Sequence, residues 1–152
     1  MIFYTVDNCL IMIYLEIMEI ILDACAIVAV IVKEPERDSV IELTKDAMLV
    51  SPNMVSFEIA NALTKMMKKK IIEKERMVNA FNYFKRIPIK NVEIDFENAF
   101  EIAWNHKIYA YDACYLEAAK RLNLPLLTFD SNMLKIAKEL GIDTLGGKNV
   151  GV

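Results

Sequence analysis

The sequence predicts an α/β protein: a three-layer α/β/α sandwich around a central, mostly parallel sheet of four to five strands. Three observations carry the prediction. Apolar runs of strand length alternate along the chain with longer segments whose apolar residues recur at helical spacing. The 152 residues suit one domain with a sizeable core and are too few for two. Slightly over half of them are apolar (55%) and about a quarter charged (26%), the balance of a compact globular chain rather than a disordered or fibrous one.

The elements follow in order. Glu19–Leu22 is a short apolar run ending at Asp23 and reads as the first strand; Ala26–Val32 follows as a helix stopped by Lys33, Glu34 and Pro35. Glu36–Lys45 has helical spacing through Val40, Ile41, Leu43 and Thr44, and Ala47–Val50 is a second strand closed by Ser51 and Pro52. Ser56 stands where it can cap a helix with the apolar stripe Ile59, Ala62, Leu63 and Met66. The Lys68, Lys69, Lys70 run suits that helix's C-terminal end, where carbonyl groups concentrate negative charge. Glu73–Lys85 buries Met77, Ala80, Phe81 and Phe84 ahead of Pro88 and a strand over Ile89–Ile94. Phe96–Trp104 is helical, Lys107–Tyr111 a turn, and Asp112–Leu122 a helix that opens at Asp112. Leu124–Phe129 is a nearly all-apolar strand ending at Asp130, Ser131–Leu140 a helix closed by Gly141, and Ile142–Leu145 a last short strand.

Several classes of chemistry lack their raw material. The four glycines are Gly141, Gly146, Gly147 and Gly151, so no glycine-rich phosphate loop can follow the first strand. His106 is the only histidine, and Cys9, Cys25 and Cys114 are widely spaced, which removes histidine-rich zinc sites and a Ser-His-Asp triad and reads as reduced, mostly buried thiols. A net charge of −3 argues against a broad basic face, so any nucleic-acid binding must be local. Asp7, Glu16, Glu19 and Asp23 divide the apolar beginning into runs too short for a membrane span, and no basic stretch precedes Lys33 as in a secretory signal; a cytoplasmic protein is expected.

What remains is carboxylate chemistry. In a parallel sheet of this kind, ligands lie beyond the carboxyl ends of the strands, near a switch in strand order, and Asp23 and Asp130 both follow strand ends. Acids at apolar boundaries need compensation, which a divalent cation can give; Mg²⁺ or Mn²⁺ takes hard oxygen ligands, and such an ion activates water against a phosphodiester. Each acid also has a plain structural reading: Asp23 and Asp112 as helix caps, Glu58 as a first-turn glutamate favoured by the helix dipole, Asp130 as a turn residue. Lys65 and Lys69, seven and eleven residues after Glu58, lie within about 20° of its direction and can guide phosphates or simply neutralise a helix end. Tyr111 and Tyr115 can stack on a base or pack, and His106 reads as a turn residue without partners.

The segments ILDACAI, SFEIANAL and YDACYLEAAKRLNLPLLTFD occur in the order and at the separations of PIN-domain ribonucleases, and the chain resembles the VapC-type toxins among them from about Met18 to Leu145. The resemblance implies a PIN-like fold. It implies that Asp23, Glu58, Asp112 and Asp130 are the catalytic acids and bind Mg²⁺ or Mn²⁺ directly or through water. Thr128 matches the hydroxyl before the last aspartate and Asn61 a polar residue three after the helical glutamate; with Lys65 and Lys69 they are candidates for substrate binding. Where the family often carries a hydroxyl one or two residues after the first aspartate, this chain has Ala24 and Cys25, and Asn132 stands where a charged residue is more usual.

The activity so implied is endonucleolytic cleavage of RNA by metal-activated water, with a homodimer and a small antitoxin as partners. A second reading is a catalytically silent PIN-like module that binds RNA or a protein, supported by the missing hydroxyl after Asp23. A haloacid-dehalogenase-like phosphatase is excluded, since no second acid follows Asp23 in a DxD pattern. Residues 1–17 read as an N-terminal extension outside the resemblance, 18–147 as the nuclease domain and 148–152 as a tail. Ile2, Phe3, Leu10, Ile11, Ile13 and Tyr14 in the extension are candidates for a dimer seam or partner contact.

Overall fold

The computed structural model describes residues 2–6, 9–13 and 17–146, with side chains from Ile17 onward. In the N-terminal extension, β1 (Ile2–Val6) and β2 (Cys9–Ile13) pair antiparallel as a separate two-stranded sheet. The side chains proposed for a partner seam, Ile2 to Tyr14, and the tail 148–152 lie outside what is described.

The main sheet is formed by β3 (Glu19–Leu22), β4 (Met48–Pro52), β5 (Ile89–Val92), β6 (Leu126–Leu127) and β7 (Thr144–Leu145), in the order β5-β4-β3-β6-β7. All four neighbouring pairs are parallel, so every connection is a crossover and helices must supply it. They are α1 (Ala24–Val32), α2 (Arg37–Thr44), α3 (Val55–Lys68), α4 (Lys74–Phe84), α5 (Phe96–His106), α6 (Ala110–Leu122) and α7 (Ser131–Glu139). The first four pack on one another, as do the last three, giving the expected three layers. Among the described residues no helix is long and apolar enough to cross a membrane.

The chain steps from β3 outward to β4 and β5, then returns to place β6 on the other side of β3, so strand order reverses between β3 and β6. Leu22 is in register with Leu127 there, which brings the residues that follow each strand, Asp23 and Thr128, to the same edge. Ile20, Ile21, Val50, Leu126 and Leu127 are wholly buried, as expected of strands covered on both faces. The helices α1 and α6 are buried almost all round; in α6 every residue from Ala113 to Ala119 is inside.

Several boundaries differ from the sequence reading. Ser56 does not cap α3, which begins at Val55 after Met54 with no side-chain cap. The helix α6 begins at Ala110, so Asp112 lies inside its first turn instead of opening it. β6 contains two residues of the expected six because only Leu126 and Leu127 meet Ile21 and Leu22 across the ladder. His106 ends α5 and has a partner after all: its Nδ1 lies 3.4 Å from the Glu139 carboxylate. With no glycine before Gly141, α1, α5 and α6 end on left-handed Lys33, Lys107 and Asn123, with φ of 64°, 55° and 53°.

Glu117 is the exception in the α6 core, a carboxylate with its side chain 1% exposed. The Arg121 guanidinium one turn later donates to it and reaches the Glu93 carbonyl oxygen at 2.7 Å. Removing one partner of such a pair strands the other's charge. Arg121→Met is expected to destabilise the fold by about 3 kcal/mol in urea unfolding. Adding Glu117→Leu should recover most of that loss; a double variant no more stable than the single would refute this account of the pair.

Candidate active site

Beyond the carboxyl ends of β3 and β6 lies a cleft of about 660 Å³ whose lining includes Asp23, Glu58, Asp112 and Asp130. All four acids singled out in the sequence therefore face one space, although they come from four different segments. Asp23 follows β3 and precedes α1, yet its carboxylate makes no capping bond to that helix. Instead its Oδ2 accepts from the Thr128 hydroxyl at 2.7 Å and the Cys25 thiol at 2.8 Å. Both donors meet one oxygen and leave Oδ1 unengaged by either. Asp23 is only 7% exposed, so these donors replace most of the water it has lost.

Thr128 and Cys25 are themselves held. The Thr128 hydroxyl accepts from the Asp130 N–H at 3.1 Å, and Cys25 Sγ accepts from the Phe129 N–H at 3.5 Å. Burial, then the Asp23 charge, push the Cys25 thiol up to about 12, so it stays protonated and donates. Where a hydroxyl was expected one or two residues after Asp23, a thiol donor therefore stands. Thr128, an expected substrate contact, is wholly buried, with its hydroxyl bonded to Asp23. Cys25, expected in the core, lines the cleft, while Cys114 is core.

Glu58 projects from the first turn of α3, and its Oε2 accepts from Tyr115 at 2.5 Å. Tyr115 is 1% exposed and cannot stack on a base. Desolvation pushes the Glu58 carboxyl up to about 7 against the Tyr115 hydrogen bond, and the Asp23 and Asp112 charges add to the rise while Lys65 opposes it. Asp112, in the first turn of α6, is raised by desolvation and by the charges of Asp130 and Asp23. Asp130 does cap its helix: Oδ1 accepts from Asn132 and Met133 N–H at 2.9 and 2.8 Å.

Asn61 and Lys65, one and two turns along α3 from Glu58, also line the cleft. Lys69 is the exposed C-cap residue of α3 and does not. The sequence reading missed Glu34, a further carboxylate in the lining whose value is raised by desolvation and by Glu36. It also missed the roles of Cys25 and Tyr115, which no spacing rule marks.

Among the described residues no group of three or more His, Cys, Asp or Glu side chains is already drawn together tightly enough to hold an ion. The donor chemistry nevertheless fits a hard divalent cation: carboxylates around one space, of which Glu58 and Asp112 are raised first by desolvation and then by the charges of neighbouring acids, a cost that a cation would relieve.

A family model described as PIN domain matches residues 20–139. A curated relative, Ribonuclease VapC3 of Pyrobaculum aerophilum, is 26% identical over 121 residues, spanning 76% of this chain and 92% of that protein. Among solved structures, PAE2754 from Pyrobaculum aerophilum superposes with a TM-score of 0.64 at 22% identity, covering 84% of this chain and 89% of that one. VapBC2 from Rickettsia felis, bound to a DNA fragment from their promoter, gives a TM-score of 0.61 at 16% identity over 84% of this chain and 98% of that one. Both structures share the three-layer fold.

The cost of a charged Glu58, desolvation first and neighbouring charge after it, has a measurable sign. The folded chain holds a proton on Glu58 up to about pH 7, against an ordinary value of 4.5, so the neutral carboxyl's contribution is complete below 4.5 and is lost as pH rises through 7. Glu58→Gln keeps a hydrogen-bond acceptor for Tyr115 and removes the charge. In EDTA at pH 8 it should melt higher than the natural chain, by about 2–4 °C for each kcal/mol of desolvation and repulsion relieved, with the difference vanishing below pH 4.5. Thermal melts that coincide at pH 8 would contradict it.

Proposed function

Since the chain belongs to the PIN-domain family, we propose that it is a metal-dependent endoribonuclease, acting in the cytoplasm as the toxin of a VapBC-type pair. The observation that supports this most is the convergence of Asp23, Glu58, Asp112 and Asp130, from four separate segments, on one cleft at the switch in strand order. The VapC3 relative is named a ribonuclease, and VapBC2 is a related fold seen on promoter DNA. From these come the remaining parts of the proposal: RNA as substrate, a small antitoxin as partner, and a homodimer.

In this reading the four acids would hold Mg²⁺ or Mn²⁺, and at Asp23 both Thr128 and Cys25 donate to Oδ2 and leave Oδ1 unengaged by either. Such an ion, when bound, lowers the pKa of a water and offsets charge developing on the phosphate. The chain's own residues supply position. Tyr115 anchors Glu58 by one oxygen, Asp130 is fixed by its capping bonds, and the Thr128–Asp23 bond ties the ends of β6 and β3 together. Asn61 and Lys65 offer donors to a phosphate entering along α3, and Lys69 extends that track beyond the cleft. The silent-module reading drew its support from the missing hydroxyl after Asp23, and the Cys25 thiol removes that support.

Asp23→Asn and Asp112→Asn should each abolish cleavage of RNA in Mg²⁺ or Mn²⁺ and weaken ion binding in calorimetry. Full activity in both variants would exclude the assignment. Cys25→Ser should retain cleavage and Cys25→Ala should lose about tenfold in activity or ion affinity, the usual effect of removing a donor behind a metal ligand. Equal activity in these two would deny the thiol its positioning role.

A further inference from the structure

Five carboxylates line the cleft (Asp23, Glu34, Glu58, Asp112 and Asp130) and among its lining residues Lys65 is the only cation. A strand of nucleic acid is held elsewhere mainly by neutralising its phosphates with lysine and arginine, and this cleft has almost nothing to do that with. A bound divalent ion anchors one phosphate. The neighbouring nucleotides need another source of affinity.

Three aromatic rings stand in the same lining: Phe57, directly before Glu58 on α3, and Tyr109 and Tyr111, flanking the start of α6 just before Asp112. They are 73%, 85% and 53% exposed. Exposure of one aromatic is ordinary; three around a single acidic cleft, each within three residues of a site carboxylate, is a pattern. Elsewhere on the surface Phe96 and Phe100 of α5 pack against each other with ring centroids 5.9 Å apart, and the exposed Tyr83 and Trp104 each stand outside the lining of this acidic cleft. Among the described residues Phe57, Tyr109 and Tyr111 pair with no other aromatic ring, and more than half of each is open to solvent.

We propose that Phe57, Tyr109 and Tyr111 form a base-stacking rim that supplies most of the cleft's affinity for RNA. The inference rests on the nuclease reading of the cleft and adds to it which residues grip the substrate and by what force. Every base offers a flat face to an aromatic ring, and stacking needs no positive charge. A base within an A-form duplex is covered on both faces by its neighbours, so the rim has nothing to hold on paired RNA.

Fluorescence anisotropy of the full chain in Ca²⁺, with Mg²⁺ and Mn²⁺ omitted to suppress cleavage, tests this with three labelled 12-nucleotide probes: an unstructured RNA, its blunt duplex, and a strand with abasic sites over its central positions. The unstructured RNA should bind at least about fivefold more tightly than either other probe, the lower end of what one stacked base contributes. Phe57→Ala and Tyr109→Ala should each weaken it by about fivefold or more and leave the abasic strand unchanged, while Phe57→Trp restores binding. The logarithm of affinity should fall with that of NaCl concentration at a slope no steeper than about −1.5, the two phosphates that Lys65 and Lys69 can neutralise. A steep slope with the alanine variants binding normally would overturn the rim, as would equal binding of the abasic strand. Stacking-dependent binding without cleavage in Mg²⁺ or Mn²⁺ would instead overturn the nuclease reading and leave the rim standing.

Discussion

Asp23 is a carboxylate almost withdrawn from water, at the seam where β3 and β6 run side by side. Burying such an ion without donors costs several kcal/mol, so the fold must bring donors to it. One comes from the adjoining turn of the same chain, Cys25, and the other from the far side of the sequence, Thr128, which arrives only because Leu127 is paired with Leu22. Side chains on a strand alternate faces, so a slip of one residue in that pairing would turn Thr128 away and leave Asp23 short of a partner. Strand register and site geometry are thus one constraint. The same hydroxyl accepts from the Asp130 N–H, which carries the constraint onward to the start of α7.

The acids around Asp23 work against the fold that positions them. Glu58 and Asp112 are both raised first by desolvation and then by neighbouring negative charge, a conflict that packing alone could remove by making the cleft apolar. Such local conflicts are where a sequence gives up stability for chemistry. The contrast with Glu117 is instructive. That carboxylate is more deeply buried, but the Arg121 guanidinium donates to it and offsets its charge.

The alternation of strand and helix was legible because burial imposes it: apolar runs for covered strands and helical stripes for the layers outside. The placement of Asp23 and Asp130 after strands was legible for the same reason, and the order of the motif segments gathered Glu58 and Asp112 to them. Other features follow from geometry that a sequence pattern does not carry. The helix α3 starts one residue before Ser56 because backbone continuity, not a side-chain cap, opens it. Tyr115 sits in a run of buried α6 residues, and only the folded arrangement brings its hydroxyl to Glu58 of α3. Cys25 looked like a core residue because a thiol is apolar by composition; its role depends on which way it points. Thr128 matched a motif hydroxyl, and its burial and its bond to Asp23 are set by strand pairing that no motif displays.

The helices that end on Lys33, Lys107 and Asn123 do so in a conformation usually left to glycine. Each such residue gives up about 1 kcal/mol of local backbone preference in the folded chain. It also withholds from the unfolded chain the extra freedom that glycine would bring, and at Lys33 and Lys107 it sets a positive charge against the helix's last carbonyls. The chain has no glycine from its start to the end of α7. Part of its stability therefore resides in a denatured ensemble with fewer conformations to explore, a contribution that no contact in the folded structure displays.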